Sequence, residues 1–137
     1  MNPIVRNVLA VVAGLFLGGI VNMGIVMVSS SVIPLPEGVD PSSMQSLKES
    51  MHLFEPKNFL MPFLAHALGT LFGAFIASLI AKTYKLKLAL AVGVFFLIGG
   101  IMNVVMLPSP TWFAILDIVG AYIPMAFLGF KLSKLFQ

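Results

Sequence analysis

His66 and Asp117 interrupt two runs that are otherwise apolar or small, "PFLAHALGTLFGAFIA" at 62–77 and "AILDIVGAYIPMAF" at 114–127. An imidazole beside a carboxylate can share one proton near neutral pH, hold a cation or anchor the polar end of a small ligand. Either group left alone in hydrocarbon is costly: an ionised Asp at mid-membrane costs on the order of 3 kcal/mol on insertion scales. The two side chains are therefore expected to reach each other, directly or through one water. The structural alternative is an interhelical hydrogen bond worth about 1 kcal/mol. Asn22 and Asn103 add two amides to the same polar set, as helix–helix glue or as ligand contacts. His52, Glu49 and Glu55 recur three residues apart and can reach a cation, but read more simply as solvent-facing, so no metal site is assigned. No cofactor is expected, since a haem needs two intramembrane imidazoles and His66 is the only one.

The elements that must carry these groups follow from composition. The chain of 137 residues is 59% hydrophobic and 9% charged, with mean hydropathy +1.05. Soluble domains carry about 25% charged residues. Apolar runs of roughly 20 residues read as spanning helices, and four are visible at about 4–28, 59–81, 86–107 and 112–132. Within lipid each segment satisfies its own backbone hydrogen bonds, which selects helices over open strands. The fold class is all-α: one multi-pass domain over 1–137, a four-helix membrane bundle. The first run is longer than a signal-peptide core and no A-x-A site follows it, so it is read as an uncleaved span.

Orientation comes from Lys and Arg. Arg6, Lys82, Lys85, Lys87, Lys131 and Lys134 fall at one set of helix ends, against Lys48 and Lys57 in the connection between the first two spans. Six against two places both termini in the cytoplasm and the connection outside, in a cell inner (plasma) membrane. The net charge of +3 is accounted for by these anchors, and no nucleic-acid partner is expected. With no cysteine, disulfide and thiol redox chemistry are excluded within this chain. No nucleophile–base arrangement, phosphate loop or paired-carboxylate site is recognisable, so an enzyme is not expected.

The external segment, 33–57, opens "IPLPEGVDP", a turn-rich entry. Asp40 is expected to cap a short helix with Pro41 at its first position. Met44, Leu47, Met51 and Phe54 then share one apolar face, until Pro56 ends the helix. Small residues mark packing faces: Ala10, Gly14, Gly18 and Asn22 on the first span, Ala65, Gly69, Gly73 and Ala77 on the second. "GGIVNMGIVMVSSS" resembles "GGIMNVVMLPSP", and "AFIASLIAK" lines up with "AFLGFKLSK", which points to a duplicated helical hairpin.

The stretches "PLPEGVDP", "HALGTLFGAFIA", "GGIMNVVMLPSPTWF" and "VGAYIPMAFLG" resemble small four-helix bacterial inner-membrane proteins of about this length without an assigned function. The resemblance spans most of the chain and implies the bundle, but no site residues. Four such helices enclose little, so a solute path is expected between subunits or repeats. The expected function is to bind or pass a small solute or ion near His66 and Asp117, as a homo-oligomer or with a partner membrane protein in the lipid bilayer. The competing expectation is a non-transporting accessory or scaffold subunit.

Overall fold

Asn2 and Pro3 begin the first helix: the Asn2 side chain accepts the Ile4 N–H at 2.8 Å, and Pro3 occupies a position where no N–H is needed. The helix α1 then runs unbroken over Pro3–Val32, 30 residues, extending past the expected 4–28. The structure, a computed structural model describing residues 1–137, continues with α2 (Met44–Ser50), α3 (Leu60–Ile80), α4 (Lys85–Met106), α5 (Thr111–Gly120) and α6 (Ile123–Ser133). Three short 3₁₀ turns complete it, at Met51–Leu53, Pro56–Phe59 and Lys134–Phe136, and there is no strand.

Four stretches are long and apolar enough to cross a bilayer: Pro3–Val32, Pro56–Ile80, Lys85–Met106 and Thr111–Phe136. At about 1.5 Å per residue each exceeds the roughly 30 Å of hydrocarbon it must bridge. The chain is a multi-pass membrane protein. Its interior agrees with that solvent. Most of the fully buried apolar residues are small, with Ala10, Ala65, Ala74, Ala77, Ala89 and Ala126 at 0% exposure beside the larger Val92 and Tyr122, while Phe16, Met27, Phe95 and Val119 point outward. Association in lipid depends on close backbone approach rather than on burying large side chains.

Helix α3 is the hub, packed against α1, α4 and α6. Its stripe of small residues meets that of α1. A Cβ added at Gly73 would stand 2.6 Å from the Gly14 carbonyl oxygen, and one at Gly18 equally close to the Gly69 carbonyl. On the far side of α3, Gly93 of α4 leaves room for Ala126 of α6.

The fourth span departs from the continuous helix expected over 112–132. It breaks between Gly120 and Ile123. Pro124 has no N–H to offer the Gly120 carbonyl, and its ring crowds that oxygen. The Ala121 N–H closes α5 on the Asp117 carbonyl at 2.9 Å, and α6 restarts with Pro124 in its first turn.

Asp40 is likewise not the cap that its position before Pro41 suggests. Its carboxylate accepts the Ser42 N–H at 2.9 Å, forming a local turn, and Ser43 caps α2 by accepting the Ser46 N–H at 3.1 Å. Short polar side chains compete for neighbouring amides, and the one nearest the first helical turn prevails here. The helix is correspondingly short and passes into the 3₁₀ turn at Met51.

Both chain ends gather at one end of the bundle with the α3–α4 turn. The Arg6 Nε donates to the Ile80 carbonyl at 2.6 Å, Asn7 bonds Thr83 at 2.8 Å, and the Lys85 Nζ donates to the Gln137 Oε1 at 2.7 Å. The connection between α1 and α3, and the turn before α5, therefore lie at the opposite end.

Candidate functional site

The site is built where α3 passes the break in the fourth span. His66 stands on the second turn of α3, and its carbonyl accepts the Thr70 hydroxyl at 2.7 Å. Asp117 stands on the last turns of α5, and Tyr122 occupies the break itself. The His66 Nδ1 lies 2.8 Å from the Asp117 Oδ1 and 3.0 Å from its Oδ2. The expected pairing is direct, with no intervening water needed. Where Asp117 is ionised it can only accept, so Nδ1 is then the nitrogen that carries the proton and donates.

Tyr122 is the member that sequence reading missed. Its hydroxyl donates to the Asp117 Oδ2 at 3.1 Å, and its ring stacks on the His66 imidazole with centroids 5.8 Å apart. Gly100 of α4 makes room for the phenol, because a Cβ there would overlap it. Pro124, two residues after the only tyrosine in the spanning runs, was the signal available: a helix break beside a buried acid frees a phenol to turn back toward it.

Asp117 is only 2% exposed, yet its carboxylate has donors at both oxygens. Paired acceptors and donors of this kind are what make a buried ionisable group tolerable. The other imidazole nitrogen, Nε2, has no partner in the protein. His66 borders a cavity of about 730 Å³, a volume in the range of small-molecule sites.

All four polar residues singled out in the spanning runs line this one cavity: Asn22 from α1, His66 from α3, Asn103 from α4 and Asp117 from α5. The Asn22 Oδ1 is buried without a hydrogen-bond partner. Gly69, expected only as a packing residue, also borders the cavity, one turn beyond His66. Gly14, Gly18 and Gly73 do not. They form the tight floor where α1 and α3 touch.

The roof comes from the connection between α1 and α3. Leu47, Met51 and Phe54 line the cavity, whereas Met44, expected on the same face, is exposed. Asn58 ties the roof down, its Nδ2 donating to the Pro34 carbonyl at 3.3 Å and its Oδ1 accepting the Glu55 N–H at 2.8 Å. Nothing in the residue types of that loop had pointed to Asn58. Outside the roof, Glu49 accepts from Gln45 at 2.7 Å and Glu55 pairs with Lys57 at 3.5 Å, so these carboxylates are not gathered with His52 around one point.

The walls are mainly apolar, with Phe59, Phe96 and Phe113 among them. No Lys, Arg or Glu lines the cavity. Chemically the arrangement can take up or release a proton at Nε2, accept a hydrogen bond there, and hold an apolar body against the aromatic walls. Comparison with protein-family models, curated proteins and solved structures returns no match for this chain.

Proposed function

We propose that the protein binds a small, largely apolar solute in the cavity between α1, α3, α4 and α5, with the solute's polar end held at His66 and Asp117. The observation that carries this reading is the convergence of Asn22, His66, Asn103 and Asp117 on a single cavity, with the His66 Nε2 and the Asn22 Oδ1 left without protein partners. Side chains that only hold helices together are spent on protein partners; a ring nitrogen without one, on a residue that borders a shaped cavity, is available to an occupant. The tight Gly14–Gly73 floor supports binding in preference to free passage through one subunit. Passage would require a second copy or a partner membrane chain.

In the same reading the termini are cytoplasmic, the membrane is the cell inner membrane, and the cavity opens toward the outer half of the bilayer beneath an external cap formed by α2 and its turns. The basic residues at the terminal end of the bundle support this. We also read the hairpins α1–α3 and α4–α6 as two copies of one ancestral unit, and keep the likeness to small four-helix bacterial membrane proteins as part of the proposal.

The test uses a variant that adds bulk at the cavity's edge without disturbing a neighbour. A Cβ at Gly99 meets nothing within 4 Å, and Gly99 borders the cavity. Wild type and Gly99→Leu are purified in native nanodiscs, denatured, and the released small molecules compared by mass spectrometry. A compound present with wild type and missing from an equally stable Gly99→Leu supports the reading. Identical extracts from the two proteins would overturn it.

A further inference from the structure

The charge inventory of the cavity points to what kind of solute it takes. Asp117 is its one carboxylate, and no Lys or Arg faces it from any element. Its other polar groups are neutral or, in His66, titratable: Asn22, Ser29 and Ser30 from α1, His66 from α3, Asn103 from α4, Ser109 before α5, Tyr122 from the break and Asn58 from the roof. The only positive charge the chain itself can bring to Asp117 is therefore a proton on His66. With His66 neutral and Asp117 ionised, the pair carries one uncompensated negative charge, and Nε2 carries a lone pair. With His66 protonated, the pair is neutral and Nε2 presents a donor.

The same cavity is lined by the rings of Phe54, Phe59, Phe96, Phe113 and Tyr122, with Tyr122 stacked on His66. Aromatic faces attract cations, and more strongly when water is excluded. Resting on the solute-binding reading above, we infer that the ligand is an amphipathic organic cation, bound in exchange for the proton on His66. The balance is simple. The Nε2–H bond of the imidazolium breaks and its proton leaves to water; Nδ1 keeps its hydrogen bond to Asp117; the ligand's charge replaces the proton's, so the net charge of the site is unchanged. An anion of the same shape meets the lone carboxylate and is rejected.

The experiment uses the full chain in dodecyl maltoside and three probes: tetraphenylphosphonium, its isosteric anion tetraphenylborate, and the slimmer cation dodecyltrimethylammonium. Calorimetric titrations are run at several pH values in two buffers of different ionisation enthalpy, which counts protons released. At least one cation is expected to bind and to release about one proton per site at acidic pH, with affinity rising up to about tenfold per pH unit until His66 is neutral. Tetraphenylborate should not bind. Asp117→Asn should abolish cation binding, and His66→Asn, whose amide can still donate to Asp117, should remove the pH dependence. Equal binding of tetraphenylborate, or cation binding that ignores pH in wild type, would overturn the inference. So would failure of both cations. In that case dodecanol separates the two readings: if it binds to wild type but not to Gly99→Leu, solute binding stands and only the cation assignment is lost, whereas if it too fails, both readings fall.

Discussion

Gly100 of α4 leaves the space that the phenol of Tyr122 fills, and this absence of one methyl group is what lets the hydroxyl reach Asp117. The relationship joins the break in the fourth span to the polar site. Tyr122→Phe should cost about 1 kcal/mol, the net worth of one hydrogen bond. Gly100→Ala should cost at least as much, because the ring must move to admit the new Cβ. The two changes should be less than additive in the double variant, measured by reversible unfolding in mixed micelles. Full additivity would mean that Gly100 does not position the phenol.

The pair at the centre should show coupling of about 1–2 kcal/mol in a cycle built from His66→Ala, Asp117→Ala and the double variant. Asp117→Asn should be milder than Asp117→Ala. The amide oxygen can still accept from Nδ1 while its nitrogen donates to the Tyr122 oxygen. A cycle without coupling would reduce the observed 2.8 Å approach to coincidence.

Gly73→Leu and Gly18→Leu should both separate α1 from α3 and abolish the folded form. Even Gly73→Ala meets the Gly14 carbonyl oxygen at 2.6 Å. Gly19→Ala is the matched control, since nothing lies within 4 Å of its added Cβ. Thermal melting monitored by circular dichroism should leave Gly19→Ala near or slightly above wild type, helix propensity favouring alanine. Equal tolerance at positions 18, 19 and 73 would place the contact face elsewhere.

Asp40 lies at the exposed entrance to the roof, where hydrogen bonds from the side chain and backbone of Ser42 hold its carboxyl below the usual carboxylate value of 3.8. A depressed folded value means that the turn is supported above the unfolded value and loses that support as the pH falls through the folded one. The Asp40 carboxyl carbon, followed by NMR, should titrate below its value in a short peptide. Ser42→Gly should move the midpoint back upward while leaving the spanning helices intact.

Topology is tested on the roof. Ser43→Cys in this cysteine-free chain should react with a membrane-impermeant maleimide in intact cells. A cysteine added after Gln137 should react only once the membrane is opened. The reverse pattern would invert the orientation read from the lysines.

What the residues determined by themselves is the solvent and the secondary structure. Four apolar runs and a near absence of charge require helices in lipid, because each helix closes its own hydrogen bonds whatever its neighbours do. The need of His66 and Asp117 for each other was legible for a related reason: the penalty for an isolated ionisable group in hydrocarbon depends on the group and its depth, both readable along the chain. The facing stripes of Gly14, Gly18, Gly69 and Gly73 belong with these, since close approach requires small residues at helical spacing.

Tertiary structure decided the rest. The partners His66 and Asp117 are 51 residues apart, and the third member, Tyr122, joined them only because Pro124 broke a helix and Gly100 of another helix left a space. No periodicity encodes that coincidence. Asn22 and Asn103 read as glue or ligand contacts in the sequence; the cavity they share is bordered by α1, α3, α4, α5 and the α1–α3 connection, and such a volume belongs to no one segment. The roof followed local competition, in which Ser43 displaced Asp40 as the cap by a hydrogen bond within one turn. Hydropathy is a sum along the chain, whereas a cavity is a difference between surfaces, and only packing fixes that difference.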